Sequence, residues 1–293
     1  MALRIITRPD FDGVVCAVLL KEALGHETPV LWTQPNQIQN GEVPICNEDI
    51  IANLPFYGDC KLWFDHHVSN ATEKQHKGLF RIAPSAAGLV FEYFRHKIDR
   101  RFQELVQQAD KIDSAQLNLD EIQHPERHDY ILVSMTLSAD PNSDQHYWNH
   151  LVELLLHHTI GHILADPLVK VNCDRVKLEN KTYLTHLKNH TQVFEKVSLT
   201  DFRGMEPVPN GNRFLIYSLF PDTVVNMKIY YEYDKTVVKI GHSIINSNCH
   251  VNVGRLLAKF GGGGHRGAGA CRLINETAEQ NISQILEILK QNR

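Results

Sequence analysis

Leu62-Trp63-Phe64-Asp65-His66-His67-Val68 is an apolar run that ends in a carboxylate and two imidazoles. Short apolar runs bounded by turn residues read as buried strands. Residues 62–64 are therefore predicted to close a strand, with residues 65–67 standing where it gives way to a loop. In open parallel sheets, ligands collect beyond these carboxyl ends. Asp beside His-His offers a hard oxygen, a borderline nitrogen and an acceptor for an imidazole N–H. Alone, the tripeptide serves equally well as a polar strand end with two solvated histidines, so its companions along the chain must decide.

The 293 residues are 43% apolar and 22% charged, an ordinary globular balance that suits about two domains. A net charge of -4 provides no global basic field, which argues against long duplex DNA as a partner and leaves room only for a local basic groove. No apolar stretch approaches the ~20 residues that span a bilayer, so no membrane partner is expected. The first residues enter a strand-like run without a signal-peptide pattern. Six scattered cysteines include no C-x-x-C pair. The expectation is a cytoplasmic protein with reduced thiols.

Residues 3–7 read as a buried strand, 8–13 as an acidic turn and 14–24 as an apolar helix, the first half of a crossover unit. Asp10 and Asp12 stand at that helix N-terminus. Two close anions call for a cation or a retained proton, and oxygen-rich sites suit Mn or Mg; helix capping is the plainer alternative. Further strands are predicted at 29–32, 49–54 and 79–82, with a polar loop over 33–48. Ser85 is a plausible cap for a helix reaching about His96, and that helix end is also placed to take a phosphate oxygen. A helix over 102–109 leads to carboxylates at Asp110 and Asp113. A long amphipathic helix is predicted over 147–164. Its His158 and His162 lack the intervening Glu of a zinc peptidase and read as packing or surface groups.

A polar, helix-compatible segment over 174–196 reads as an interdomain helix. Beyond it, 213–220, 224–231 and 236–241 read as strands, 251–260 as a helix, 270–273 as a strand and 278–290 as a helix. Tyr217, Phe220, Tyr230 and Tyr231 fall in these strands, where core packing outweighs base stacking. Between the 251–260 helix and the 270–273 strand lies Gly261-Gly262-Gly263-Gly264-His265-Arg266. Consecutive glycines lose much backbone entropy on folding, so a ligand role is favoured over a flexible hinge. Successive N–H groups would form a nest for phosphate, with His265 and Arg266 as added donors.

Together, Asp10-Phe11-Asp12-Gly13, Asp65-His66-His67, the Asp110/Asp113 turn and Gly261 to Ala270 resemble, in order and over nearly the whole length, the DHH phosphoesterase superfamily with its associated C-terminal domain. The resemblance implies an α/β fold: a mostly parallel sheet with helices on both faces (1–172), a helical linker (173–197) and a smaller C-terminal domain with a mixed sheet (198–293), the two domains facing a cleft. It also implies one or two Mn2+ or Mg2+ ions and hydrolysis of phosphodiester or phosphoanhydride bonds in short oligonucleotides or related small phosphates. Asp10 would belong to the first metal. Asp12 and His66 would belong to the second, with Asp110 preferred over Asp113. His67 would contact phosphate, Asp65 would orient an imidazole, and His265 with Gly262, Gly263 and Gly264 would hold the far end of the substrate; Arg266 and Ser85 are further substrate candidates.

Two positions depart from the family pattern. Ile6 stands where many members place a ligating His, with Arg8 nearby, and Asn53 stands where a bridging Asp is expected. Arg8 would then fill the vacated first site with a fixed cation. These departures keep open a catalytically weak relative that binds nucleotide or phosphate as a sensor or scaffold. A homodimer is also left open.

Overall fold

Arg4 and Asp49 open neighbouring strands and are joined by a paired contact, Nε to Oδ1 at 2.9 Å and Nη2 to Oδ2 at 2.7 Å. This clamp pins the centre of a parallel sheet in a computed structural model that describes residues 3–137 and 145–292. The chain divides into two compact units, Met1–Leu117 with Pro125–Asp174, and Asn118–His124 with Arg175–Arg293.

In the first unit, β1 (Arg4–Thr7), β2 (Val30–Trp32), β3 (Asp49–Ala52), β4 (Leu62–Asp65) and β5 (Gly78–Phe80) lie in the order β2-β1-β3-β4-β5. Every pairing is parallel. Strands covered on both faces read as unbroken apolar runs, and Ile5, Ile6, Ile50, Ile51, Trp63 and Phe64 are all fully buried. The helices are α1 (Phe11–Leu24), α2 (Pro35–Gln39), α3 (Ala86–Tyr93), α4 (Gln103–Asp113), α6 (Asp129–Met135), α7 (Gln145–His157) and α8 (Ile160–Ala165), with α5 (Leu119–Gln123) assigned to the second unit. Ile38 of α2 packs with Ile6, Ile51 and Trp63 on one face of the sheet. Phe64, pointing the other way, meets Tyr93 and Phe94 at the end of α3. Helices therefore cover both faces, as the sequence predicts.

The second unit contains the end of α9 (Pro167–His190), then β6 (Thr191–Phe194), β7 (Val197–Asp201), α10 (Leu215–Leu219), β8 (Val225–Glu232), β9 (Lys235–His242), α11 (Val253–Ala258), β10 (Gly263–Gly264), β11 (Ala268–Ile274) and α12 (Asn275–Gln291). Its sheet runs β10-β11-β9-β8-β7-β6 and is mixed, since β7 and β8 pair in parallel and the other neighbours are antiparallel. Val225, Met227, Ile229, Val238 and Ile240 turn one face onto Leu256 and Leu257 of α11 and Ile285 and Leu289 of α12.

Several elements differ from the sequence reading. The 33–48 loop contains α2, whose buried Ile38 supplies its anchor. The predicted 147–164 helix is two helices, because Thr159 is extended and starts α8. His158 and His162 are exposed, consistent with a surface role. The helix predicted over 174–196 starts at Pro167 and stops at His190, and β6 and β7 follow. Residues 213–220 contain α10 (Leu215–Leu219) and no strand. Asn212 nucleates the turn, its carbonyl accepting from Leu215 N–H and its side chain from Phe214 N–H. Tyr217 is then drawn inward to donate to the Gly241 carbonyl at 2.7 Å, a tertiary contact that overrides β-propensity. All six cysteines are free, and no helix among the described residues is long and apolar enough to cross a membrane.

The Asp49 side chain is fully buried. Burial alone would push its pKa up, but the Arg4 bond and the Cys46 N–H outweigh burial and hold it below the ordinary carboxylate value. A depressed folded pKa means stabilisation that is present above the unfolded value and lost as pH falls through the folded one. Urea unfolding of Asp49→Asn at neutral pH is expected to show a loss of about 1.5–3 kcal/mol, with the gap to wild type closing below roughly pH 4.

Candidate metal centre

The β1–α1 turn folds back tightly. Asp10 caps α1, accepting from Gly13 N–H at 2.9 Å. A Cβ on Gly13 would lie 1.9 Å from the Arg8 carbonyl oxygen, so only glycine fits this turn. Asp12, one helical step in, is driven into the protein with a fully buried carboxyl group. Its Oδ2 accepts from Ala86 N–H at 2.9 Å and its Oδ1 from Ala87 N–H at 2.8 Å. These are the first free N–H groups of α3, which favour an anion. The helix end that the sequence offers to phosphate is thus filled by a carboxylate from 74 residues away.

His66 leaves the end of β4 with Nδ1 3.0 Å from the Ala83 carbonyl oxygen. That contact assigns the ring proton to Nδ1 and leaves a lone pair on Nε2. Nε2 is buried and, among the described residues, has no hydrogen-bond partner. It lies 3.3 Å from Asp113 Oδ2 and 3.6 Å from Asp12 Oδ2. The ligand atoms of Asp12, His66 and Asp113 all fall within 4.8 Å of one another. An imidazole with one nitrogen fixed by a carbonyl and the other aimed at two carboxylates is the arrangement of a metal ligand, and the oxygen-rich donor set suits Mn or Mg. Burial, then Asp113 and Asp10, holds the Asp12 carboxyl group well above its ordinary pKa. Burial and Asp10 likewise raise Asp113. A dication among these groups inverts that balance.

Asp65, His66 and His67 form a second close group, but Asp65 is already saturated. Its Oδ1 accepts from His66 N–H at 2.8 Å and contacts His67 Nδ1 at 2.8 Å, and its Oδ2 accepts from Asn70 at 2.6 Å. Asp65 therefore orients His67, and this bond raises the His67 pKa.

Asp10 is held differently. Its Oδ1 also accepts from Asn53 Nδ2 at 2.8 Å, and its Oδ2 stands 3.1 Å from Arg8 Nε. Asn53 adopts φ 56 just past β3 and is buried. Its Oδ1 has no hydrogen-bond partner.

Asp110, the ligand preferred from sequence, lies outside the close group of ligand atoms, which takes in Asp113 one helical turn on. Asp110 Oδ1 accepts from the Ser85 hydroxyl at 2.5 Å, while Asp113 at the end of α4 reaches His66. Ser85 caps α3 by accepting from Gly88 N–H at 2.9 Å. It is fully buried, so its hydroxyl has no exposed atom to offer a phosphate.

In the second unit the glycine run is neither a hinge nor a free nest. Gly263 and Gly264 form β10 against β11. Gly262 N–H donates to Leu257 O, and His265 N–H to Ala268 O. A Cβ on Gly264, at φ +147, would lie 2.3 Å from Ala268 O. The side chains of His265 and Arg266 are exposed. Sequence reasoning missed Asn70, whose side chain reaches back to Asp65, and the Ala83 carbonyl and the N–H groups of Ala86 and Ala87, which act through backbone atoms and leave no residue-type signal. Gly264→Ala is expected to lower stability by about 1–3 kcal/mol, whereas His265→Ala stays within about 0.5 kcal/mol of wild type; thermal unfolding of the two variants checks this contrast.

The chain is similar over 99% of its length to all of a pGpG-specific phosphodiesterase from Vibrio cholerae, with a TM-score of 0.85 and 29% identity. An exopolyphosphatase-related protein from Bacteroides fragilis matches 99% of this chain with 92% of its own, at a TM-score of 0.60 and 12% identity. RecJ in complex with Mn2+ from Thermus thermophilus matches 99% of this chain with 52% of its own, also at 0.60 and 12%. The last two are likenesses of fold alone. No protein-family model and no curated protein matches the chain.

Proposed function

The chain belongs to the DHH phosphoesterase superfamily, and from that premise we propose that it is a metal-dependent phosphohydrolase of short oligonucleotides, with a linear dinucleotide such as pGpG as the first candidate substrate. The observation that carries this reading is the buried, unpartnered Nε2 of His66, aimed between two carboxylates beyond the carboxyl edge of the parallel sheet.

Asp12, His66 and Asp113 would hold a divalent ion, Mn2+ or Mg2+. Such an ion lowers the pKa of water and screens phosphoryl charge. The overall step adds water at phosphorus and breaks the bond to a sugar oxygen, which leaves as a hydroxyl with the proton from water. His67, fixed by Asp65 and disposed to carry a proton, donates toward a phosphoryl oxygen. Arg8 supplies a permanent positive charge beside Asp10, in the place where the family pattern implies a first metal ligand. Preorganised donors of this kind stabilise charge as it develops. Exposed His265 and Arg266 are candidate contacts for the rest of the ligand.

A second reading, nucleotide binding without turnover, is favoured by one observation. Asp10 already faces the Arg8 cation and accepts a hydrogen bond from Asn53. Release of nucleoside monophosphate from pGpG with added Mn2+ decides between the two. We expect release that is abolished by chelation, reduced at least about 100-fold in Asp113→Asn, and reduced only about 10-fold in Asp110→Asn, which acts through Ser85. Binding without cleavage would establish the second reading; equal losses in the two variants would contradict the ligand assignment.

Arg8→Ala removes the cation beside Asp10. If Arg8 acts on the phosphoryl group, kcat falls by roughly 100-fold while stability changes little. An unchanged kcat would leave Arg8 as an ion-pair partner only.

A further inference from the structure

The face of the second unit's sheet that points away from α11 and α12 carries a charge arrangement unrelated to the metal centre. Lys228 on β8 and Lys239 on β9 are direct cross-strand partners. Like charges in that position destabilise a sheet. The one carboxylate that β8, β9 and β11 place on this face, Glu232, is already bonded to Arg272 at 2.7 Å. Among the described residues neither lysine has a carboxylate partner. Each lies instead over a phenol ring, Lys228 Nζ at 5.8 Å from the Tyr183 centroid and Lys239 Nζ at 5.3 Å from that of Tyr230.

We propose that Lys228 and Lys239 form an anion subsite that takes the terminal phosphate monoester of the nucleotide ligand. This rests on the reading of a phosphorylated dinucleotide substrate given above. The geometry supplies what a dianion needs: two ammonium groups on adjacent strands, backed by tyrosine rings. Burial, and then Lys239, lowers the Lys228 pKa to about 8, the strain that a bound anion would relieve. Lysine serves as a compact point charge for phosphate. Tyr217, the other phenol buried over this face, is already committed to the Gly241 carbonyl.

The test compares pGpG with GpG, which lacks the terminal phosphate, by calorimetric titration of the full chain in EDTA, where no turnover occurs. Wild type is expected to bind pGpG more tightly. Lys228→Gln and Lys239→Gln should each weaken pGpG roughly tenfold, the worth of one charge-assisted contact, and leave GpG unchanged. Equal weakening of both ligands, or no weakening of pGpG, overturns the subsite. Lys239 is exposed, so its variant remains informative if Lys228→Gln fails to fold. If wild type binds neither dinucleotide, the substrate reading fails while the subsite stays testable. In that case, NMR titration of Lys228 with inorganic pyrophosphate should show its pKa rising from about 8, and a pKa that does not move rejects the proposal.

Discussion

A fully buried carboxyl group crowded by two other acidic groups dictates the architecture of the first unit. Both oxygens of Asp12 are locked onto the N-terminal N–H groups of α3, and Asp113 and Asp10 stand close enough to raise its pKa further. Burying an unpaired charge is among the most expensive events in folding. The surrounding elements divide that burden. Arg8 and Asn53 take Asp10, the α3 N-terminus takes Asp12, and the His66 lone pair remains facing Asp12 and Asp113. Gly13 permits the turn that brings the acidic groups together, and the Arg4–Asp49 clamp fixes the strands from which Arg8 and Asn53 emerge.

The two units carry opposite versions of one motif. In the first, carboxylates crowd together at strand and helix ends and call for a cation. In the second, two ammonium groups oppose each other across β8 and β9 and call for an anion. Each is a local violation of the rule that like charges avoid direct contact, and such violations concentrate at functional sites.

The parallel sheet was legible because its strands are short apolar runs whose ends carry the acidic and imidazole groups. The order of motifs was enough to place Asp10, Asp12, His66 and His67 at strand ends and turns. What remained hidden depended on tertiary geometry. Whether Asp110 or Asp113 stands closer to His66 is a matter of one helical turn at the end of α4; Asp110 engages Ser85, while Asp113 stands 3.3 Å from His66 Nε2. Residues 213–220 look like a strand by composition but fold as α10 because Asn212 starts a turn and Tyr217 finds Gly241. The glycine run suggests a ligand loop by its entropy loss alone; contact with β11 gives it a structural reason that no local sequence signal shows.

Anomalous diffraction from a crystal soaked in Mn2+ tests the central claim most directly. We expect one manganese peak bonded to Asp12, His66 Nε2 and Asp113, with Arg8 still paired to Asp10. An empty centre at saturating Mn2+, or a peak coordinated by Asp110 or by Asp65 and His67, would contradict it.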